Sequence, residues 1–322
     1  MHSSIPTLKV ETPGLLTTVQ DCGRTGFTKQ GVPVGGAMDR YALQCANLLA
    51  GAPRGAAALE VTILGPTLTV LANCTVALTG ADLGAQIDGQ PASAWRSYPV
   101  KAGAKISFRR SGESTGARAC LAVSAGLDVP IVMGSRSTCL SAAFGGFEGR
   151  ALLTGDILHA FPLQKSIPGR ALTQNEPVRP RPTLRIIRGT EFTRFTRATR
   201  RHIFTDPYTV SQSSNRMGFR LDGRPLTFQR GTRADIVTEV VLFGTMQVTS
   251  DGLPLLLMAD HQTTGGYARI GTVVSTDLSI AAYLAPGDQV WFEEITLAEA
   301  ERLAVEQERS LRLLERTLRW ND

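Results

Sequence analysis

The residues best equipped for chemistry lie in three polar loops. Asp260, His261, Gln262, Thr263, Thr264, Gly265, Gly266 and Tyr267 follow one another between the apolar runs PLLLMA and IGTVV. Asp260 can accept a proton or orient His261, whose imidazole titrates near neutral pH. Gln262, Thr264 and Tyr267 can hold an amide or a carboxylate, and the backbone N–H groups of Gly265 and Gly266 can form an anion nest. A barrel corner whose side chains satisfy their own backbone has the same composition, and the residues alone leave both readings open. In SQSSNRMGFRLDG, residues 211–223, Asn215 suits a tight turn. Arg216 and Arg220 there offer planar donor forks to a carboxylate or phosphate. The third loop, TTVQDCGRTGFTKQGVPVGGAMD, carries Gln20, Asp21, Arg24 and Asp39 among glycines that permit close backbone approach. It reads equally as a long structural turn ending in a helix-capping acid.

The candidate catalytic residues are therefore Asp260, His261 and Arg216. The candidate substrate-binding residues are Gln20, Arg24, Asp39, Asn215, Arg220, Gln262, Thr264, Gly265, Gly266 and Tyr267. Glu60 interrupts the apolar strand LEVTI, so it either faces outward or is buried and paired; strand alternation favours outward.

Several chemistries are excluded or disfavoured. No lysine follows a glycine, which excludes a GxxxxGK[ST] phosphate loop, and no HExxH or GxGxxG occurs. The five cysteines are odd in number and never form CxxC, and the four histidines are scattered, so neither a disulfide framework nor a metal site is expected. The net charge of +6 rests largely on arginine, and the densest basic stretch, 181–201, flanks prolines without aromatic interleaving. A solvated face or a contact with an acidic partner fits it better than nucleic acid. No basic start leads into an apolar core, and no run of 18 uncharged apolar residues occurs, so a cytoplasmic protein without membrane contact is expected.

The elements that must position these loops are mostly strands. With 32 glycines and 17 prolines in 322 residues, many short strands joined by tight turns are expected. LKVETPGLLTTVQD reads as strand, turn, strand. MDRYALQCANLLAG switches to helical spacing, with Gly51 at its C-terminal cap and Pro53 blocking continuation. Thr296-Leu297-Ala298-Glu299 is a capping box that opens a final helix. The reading is mainly β, with an N-terminal β domain over 1–166, a proline-rich linker over 167–183, a second β domain over 184–295 and a helix over 296–322. Closed or nearly closed barrels would hide so many strand edges.

QDCGRTGFTKQGVPVGGAMD, ANLLAG, LEVTILGPTL, GSRST, SSNRMGFRLDG, GTMQVTSDGLPLLLMADHQTTGGY and PGDQVWF together resemble the allophanate hydrolase subunit 2 family. That family is also described as biotin-dependent carboxyltransferase-like, and it includes the C subunit of bacterial ATP-dependent 5-oxoprolinase and KipA. The resemblance runs from about Val10 to Phe292. It implies two cyclophilin-like β-barrels and a subunit 1-type partner, similar to KipI or to the B subunit of 5-oxoprolinase. It also implies a lactam-utilisation protein, the A subunit of such a complex. The implied reaction opens 5-oxo-L-proline to glutamate with ATP handled jointly with the partners. Two alternatives come with the resemblance: transfer of a carboxyl group from biotin on a separate carrier to urea or another amide, and a regulatory binding role. Thr249-Ser250 stands where the family's loop commonly has two prolines.

Overall fold

The computed structural model describes residues 4–109, 116–162, 168–172 and 181–320. The chain is mainly β and divides into two compact units. The first gathers the described residues of Met1–Arg24, Gly35–Glu176 and Arg309–Asp322; the second gathers those of Thr25–Val34 and Pro177–Glu308. Of the expected linker, 167 and 173–180 lie outside the described residues, while Ser97 donates to the Arg170 carbonyl and Leu172 to the Trp95 carbonyl.

In the first unit the strands are β1 Ile5–Thr12, β2 Leu16–Gln20, β3 Ala58–Thr62, β4 Thr67–Val70, β5 Cys74–Gly80, β6 Ala85–Ile87, β7 Gln90–Pro91, β8 Arg96–Val100, β9 Lys105–Phe108, β10 Arg118–Val123 and β11 Ile157–Ala160. They form two sheets, ordered β11-β1-β4-β9-β6-β7 and β2-β3-β10-β5-β8. The turn at Pro13-Gly14 is therefore not a hairpin: it carries the chain from one sheet to the other. Gly14, with φ of 73°, makes this corner possible, because a Cβ there would lie 2.3 Å from the Leu64 carbonyl oxygen. Leu8, Val10, Leu68, Val70 and Ile106 from one sheet pack against Val19, Leu59, Val76, Leu78, Leu121 and Val123 from the other.

Helix α1, Arg40–Ala50, covers the outer face of the five-stranded sheet. Ala42, Ala46 and Ala50 meet Ala58, Ala77 and Ala122, and the small side chains allow close approach. Its ends follow the sequence signals: Asp39 accepts from the Ala42 N–H at 2.9 Å, and Gly51 takes φ of 76° beyond the last turn. This layer corrects the reading of Glu60. The alternation does place it on the face away from the sheet-to-sheet core, but α1 covers that face. Glu60 is 2% exposed and its carboxylate accepts from the Met38 N–H at 2.7 Å.

The second unit contains β12 Thr183–Arg188, β13 Tyr208–Val210, β14 Gly218–Asp222, β15 Asp235–Val240, β16 Thr245–Val248, β17 Pro254–Leu257, β18 Thr264–Tyr267, β19 Arg269–Val273 and β20 Gln289–Glu294. Seven of these close into a barrel, β12-β19-β16-β17-β14-β13-β20, sealed by the parallel pairing of β20 with β12. Closure removes the edges that an open sheet would expose. Leu184, Ile186, Tyr208, Phe219, Leu221, Met246, Val248, Leu256, Ile270 and Phe292 are buried. Strands β15 and β18 form a separate two-stranded ribbon. Short helices α2, Arg197–His202, and α3, Leu278–Tyr283, precede the last helix, α4, Leu297–Trp320. The capping box forms as expected: the Thr296 N–H donates to the Glu299 carboxylate at 2.8 Å, and the Glu299 N–H donates to the Thr296 hydroxyl at 3.2 Å.

Candidate functional site

In the second unit the MADHQTTGGY and SSNRMGF loops leave neighbouring barrel strands side by side. β14 pairs with β17, placing Gly218 opposite Leu257. The pairing continues past the strand ends: Met258 donates to the Met217 carbonyl at 3.0 Å and Asp260 to the Arg216 carbonyl at 2.9 Å. The two side chains are thereby brought together. Arg216 grips Asp260 with Nε on Oδ2 at 2.8 Å and Nη2 on Oδ1 at 3.0 Å, and both side chains are buried. A bidentate pair of this kind fixes both loops in one geometry.

His261 is also buried, and its Nδ1 lies 2.6 Å from the Gln262 carbonyl oxygen. A carbonyl only accepts, so Nδ1 carries the proton there and Nε2 of the neutral ring carries the lone pair. Gln262 Nε2 donates to Gln247 Oε1 at 3.4 Å, and Gln247 Nε2 reaches the Tyr267 carbonyl oxygen at 3.5 Å. Gln247 lies against Gly265, where a Cβ would come within 2.3 Å of its Nε2. The glycine thus admits a buried amide as well as permitting backbone approach. Thr264, Gly265, Gly266 and Tyr267 form β18 and pair with β15; Thr264 and Tyr267 are exposed.

The remaining residues of the SSNRMGF loop have turn geometry. Asn215 accepts from the Met217 N–H at 2.8 Å, an Asx turn. Arg220 is exposed and bonds through its backbone N–H to the Ser214 hydroxyl at 3.1 Å. The turn at Thr249-Ser250 is closed by hydrogen bonds: the Thr249 hydroxyl donates to Asp251 and to the Leu253 carbonyl.

In the first unit, Gln20, Asp21 and Arg24 are tied to the GSRST segment. The Asp21 carboxylate accepts from Gly23, Ser135, the Arg136 backbone and Ser137 at 2.5–2.7 Å. Gln20 Nε2 donates to the Thr138 carbonyl at 3.3 Å, and Arg24 Nη2 to the Ser137 carbonyl at 2.5 Å. Arg24 also stacks on Phe144, with its guanidinium carbon 4.7 Å from the ring centroid. Asp39 caps α1.

Sequence reasoning misses Gln247, Ser135, Ser137 and Phe144 as members of these clusters. Gln247 carries a signal, the same one as Glu60: a polar residue inside a short apolar strand. Ser135, Ser137 and Phe144 carry none, because their partners lie more than 110 residues away. Among the described residues no group of three His, Cys, Asp or Glu side chains is placed to hold a metal ion. Burial pushes the thiols of Cys45 and Cys74 up to about 12, which removes them as nucleophiles at neutral pH. No helix of the described chain is long and apolar enough to cross a membrane.

Residues 30–294 match the family described as carboxyltransferase domain, subdomain A and B. The chain is 39% identical to the C subunit of 5-oxoprolinase from Escherichia coli (strain K12), over 94% of this chain and 96% of that protein. It is 27% identical to urea amidolyase of Saccharomyces cerevisiae over 96% of this chain, which corresponds to only 18% of that protein. Among solved structures, K. lactis urea amidolyase superposes with a TM-score of 0.87 at 27% identity, covering 98% of this chain and 20% of that one. TTHA0988 superposes with a TM-score of 0.81 at 32% identity, covering 90% of this chain and 56% of that one. The ordered motifs, the mainly β architecture and these matches converge, and the chain belongs to the carboxyltransferase domain family, subdomain A and B.

Proposed function

We propose that this chain is the C subunit of an ATP-dependent 5-oxoprolinase, opening 5-oxo-L-proline to L-glutamate together with a subunit 1-type partner and a lactam-utilisation protein. The observation that carries the reading is the 39% identity to the C subunit of a 5-oxoprolinase over nearly the full length of both chains. With no phosphate loop in the sequence, nucleotide handling is assigned to the partner subunits, and no step on this chain runs through ATP.

The reaction adds water to the lactam carbonyl, breaks the ring C–N bond and delivers a proton to the departing nitrogen. His261 is assigned that proton transfer, since its Nδ1 contact fixes which nitrogen carries the lone pair. Gln262 and Gln247 are assigned to the planar amide. Both Asp260 oxygens accept from Arg216, so of the two roles open to Asp260, accepting a proton or orienting His261, we assign it the second, with Arg216 as its positioning partner.

The test is ATP hydrolysis by the purified chain with its partner subunits, with and without 5-oxo-L-proline. Stimulation that needs all components supports the reading, and a lactam-independent rate in every combination refutes it. The fold shared with urea amidolyase favours one second reading, carboxyl transfer to an amide. That reading predicts biotin-dependent turnover instead.

A further inference from the structure

We propose that the first unit carries a carboxylate receptor built on Arg24. Arg24 is the largest fully buried side chain of the described residues, at 1% exposure. Its Nη2 is used by the Ser137 carbonyl, but Nε and Nη1 have no hydrogen-bond partner among the described residues. The acid nearest in sequence, Asp21, already accepts four hydrogen bonds, none from Arg24. A buried guanidinium facing only a ring and a carbonyl has lost its hydration without gaining a counter-charge. The three candidate arginines divide clearly on this point: Arg216 is engaged by Asp260, Arg220 is exposed, and Arg24 is buried without a carboxylate.

The surroundings are built to hold this guanidinium. Phe144 fixes its plane, and Gly145 and Gly146, with φ of 70° and 55°, fold the following turn against it. A Cβ on Gly145 would lie 2.7 Å from Nη2 and 2.3 Å from the Ser137 carbonyl oxygen. Gln20, in the same segment, keeps a buried Oε1 without a partner, an acceptor for a ligand N–H. A ligand with an anionic acceptor and an N–H donor matches these orphaned atoms; a lactam acid carries both, and it would occupy this receptor separately from the amide assigned to Gln262 and Gln247.

Identifying the ligand as a lactam acid rests on the proposed function; the receptor's preference for a carboxylate is read separately. The experiment measures equilibrium binding of 5-oxo-L-proline and of 2-pyrrolidinone, the same ring without the carboxylate, to the full chain co-purified with its partner subunits. Wild type should bind the acid about 10- to 100-fold more tightly, the range of one charge-assisted hydrogen-bonded contact. Arg24→Met should abolish that preference while leaving 2-pyrrolidinone unchanged, and Arg24→Lys should restore part of it. Acetate, not inorganic phosphate, should compete.

Equal affinity of wild type for the two rings, no binding of either, or competition by phosphate alone overturns the proposal without requiring any variant to fold. An unchanged preference in Arg24→Met would make Arg24 structural. Absence of lactam-stimulated ATP hydrolysis in a complex that still prefers the acid would refute the proposed function and leave the receptor standing.

Discussion

At the scale of single residues, the Arg216–Asp260 pair and the contact between Gln247 and Gly265 hold the second unit's polar loop in place. Removing one member of a buried bidentate pair leaves the other charge unmatched, so Asp260→Asn should destabilise the protein by about 3–5 kcal/mol. The double variant Asp260→Asn/Arg216→Met should cost less than the sum of the single changes, read by urea denaturation. Gly265→Ala should cost about 1–3 kcal/mol, because its Cβ would displace the buried Gln247 amide. That cost should fall by at least half in a Gln247→Ala background. Additive effects would show that the two residues do not press on one another.

At the scale of elements, the ends of strands and helices are secured by charge as well as by pattern. Arg269, at the start of β19, grips Glu191 through Nε and Nη2 at 2.8 and 2.9 Å and reaches Glu239 on β15. This contact with Arg269 holds the Glu191 carboxyl down at about 2. A depressed carboxyl contributes stability that is full above its ordinary value and is lost as pH falls toward about 2. Wild type should therefore lose more stability than Glu191→Gln between about pH 4.5 and pH 2, measured by denaturation at stepped pH. Parallel pH curves for the two proteins would remove Glu191 from the account.

These elements also show how far the sequence can be read. Helix α1 is legible to its caps, because Asp39 and Gly51 act locally. The capping box of α4 is legible for the same reason. The Pro13-Gly14 segment reads only as strand, turn, strand, since nothing local reveals that β1 and β2 belong to different sheets. Strand alternation puts Glu60 on the correct face but in the wrong environment, because a covering helix is a tertiary fact. The candidate loops stand out by their composition. The pairing of Arg216 with Asp260 depends on strand neighbours 44 residues apart.

At the scale of the whole molecule, the chain belongs to the carboxyltransferase domain family, and its near full-length match is to the C subunit of a 5-oxoprolinase. The most direct test follows carbon-labelled 5-oxo-L-proline in the complex of this chain with its partner subunits, with ATP present and with avidin either added or omitted. The account predicts labelled glutamate in step with ADP formation, unchanged by avidin. A labelled carboxylated lactam that avidin suppresses, or ADP formed while the ring stays closed, would contradict it.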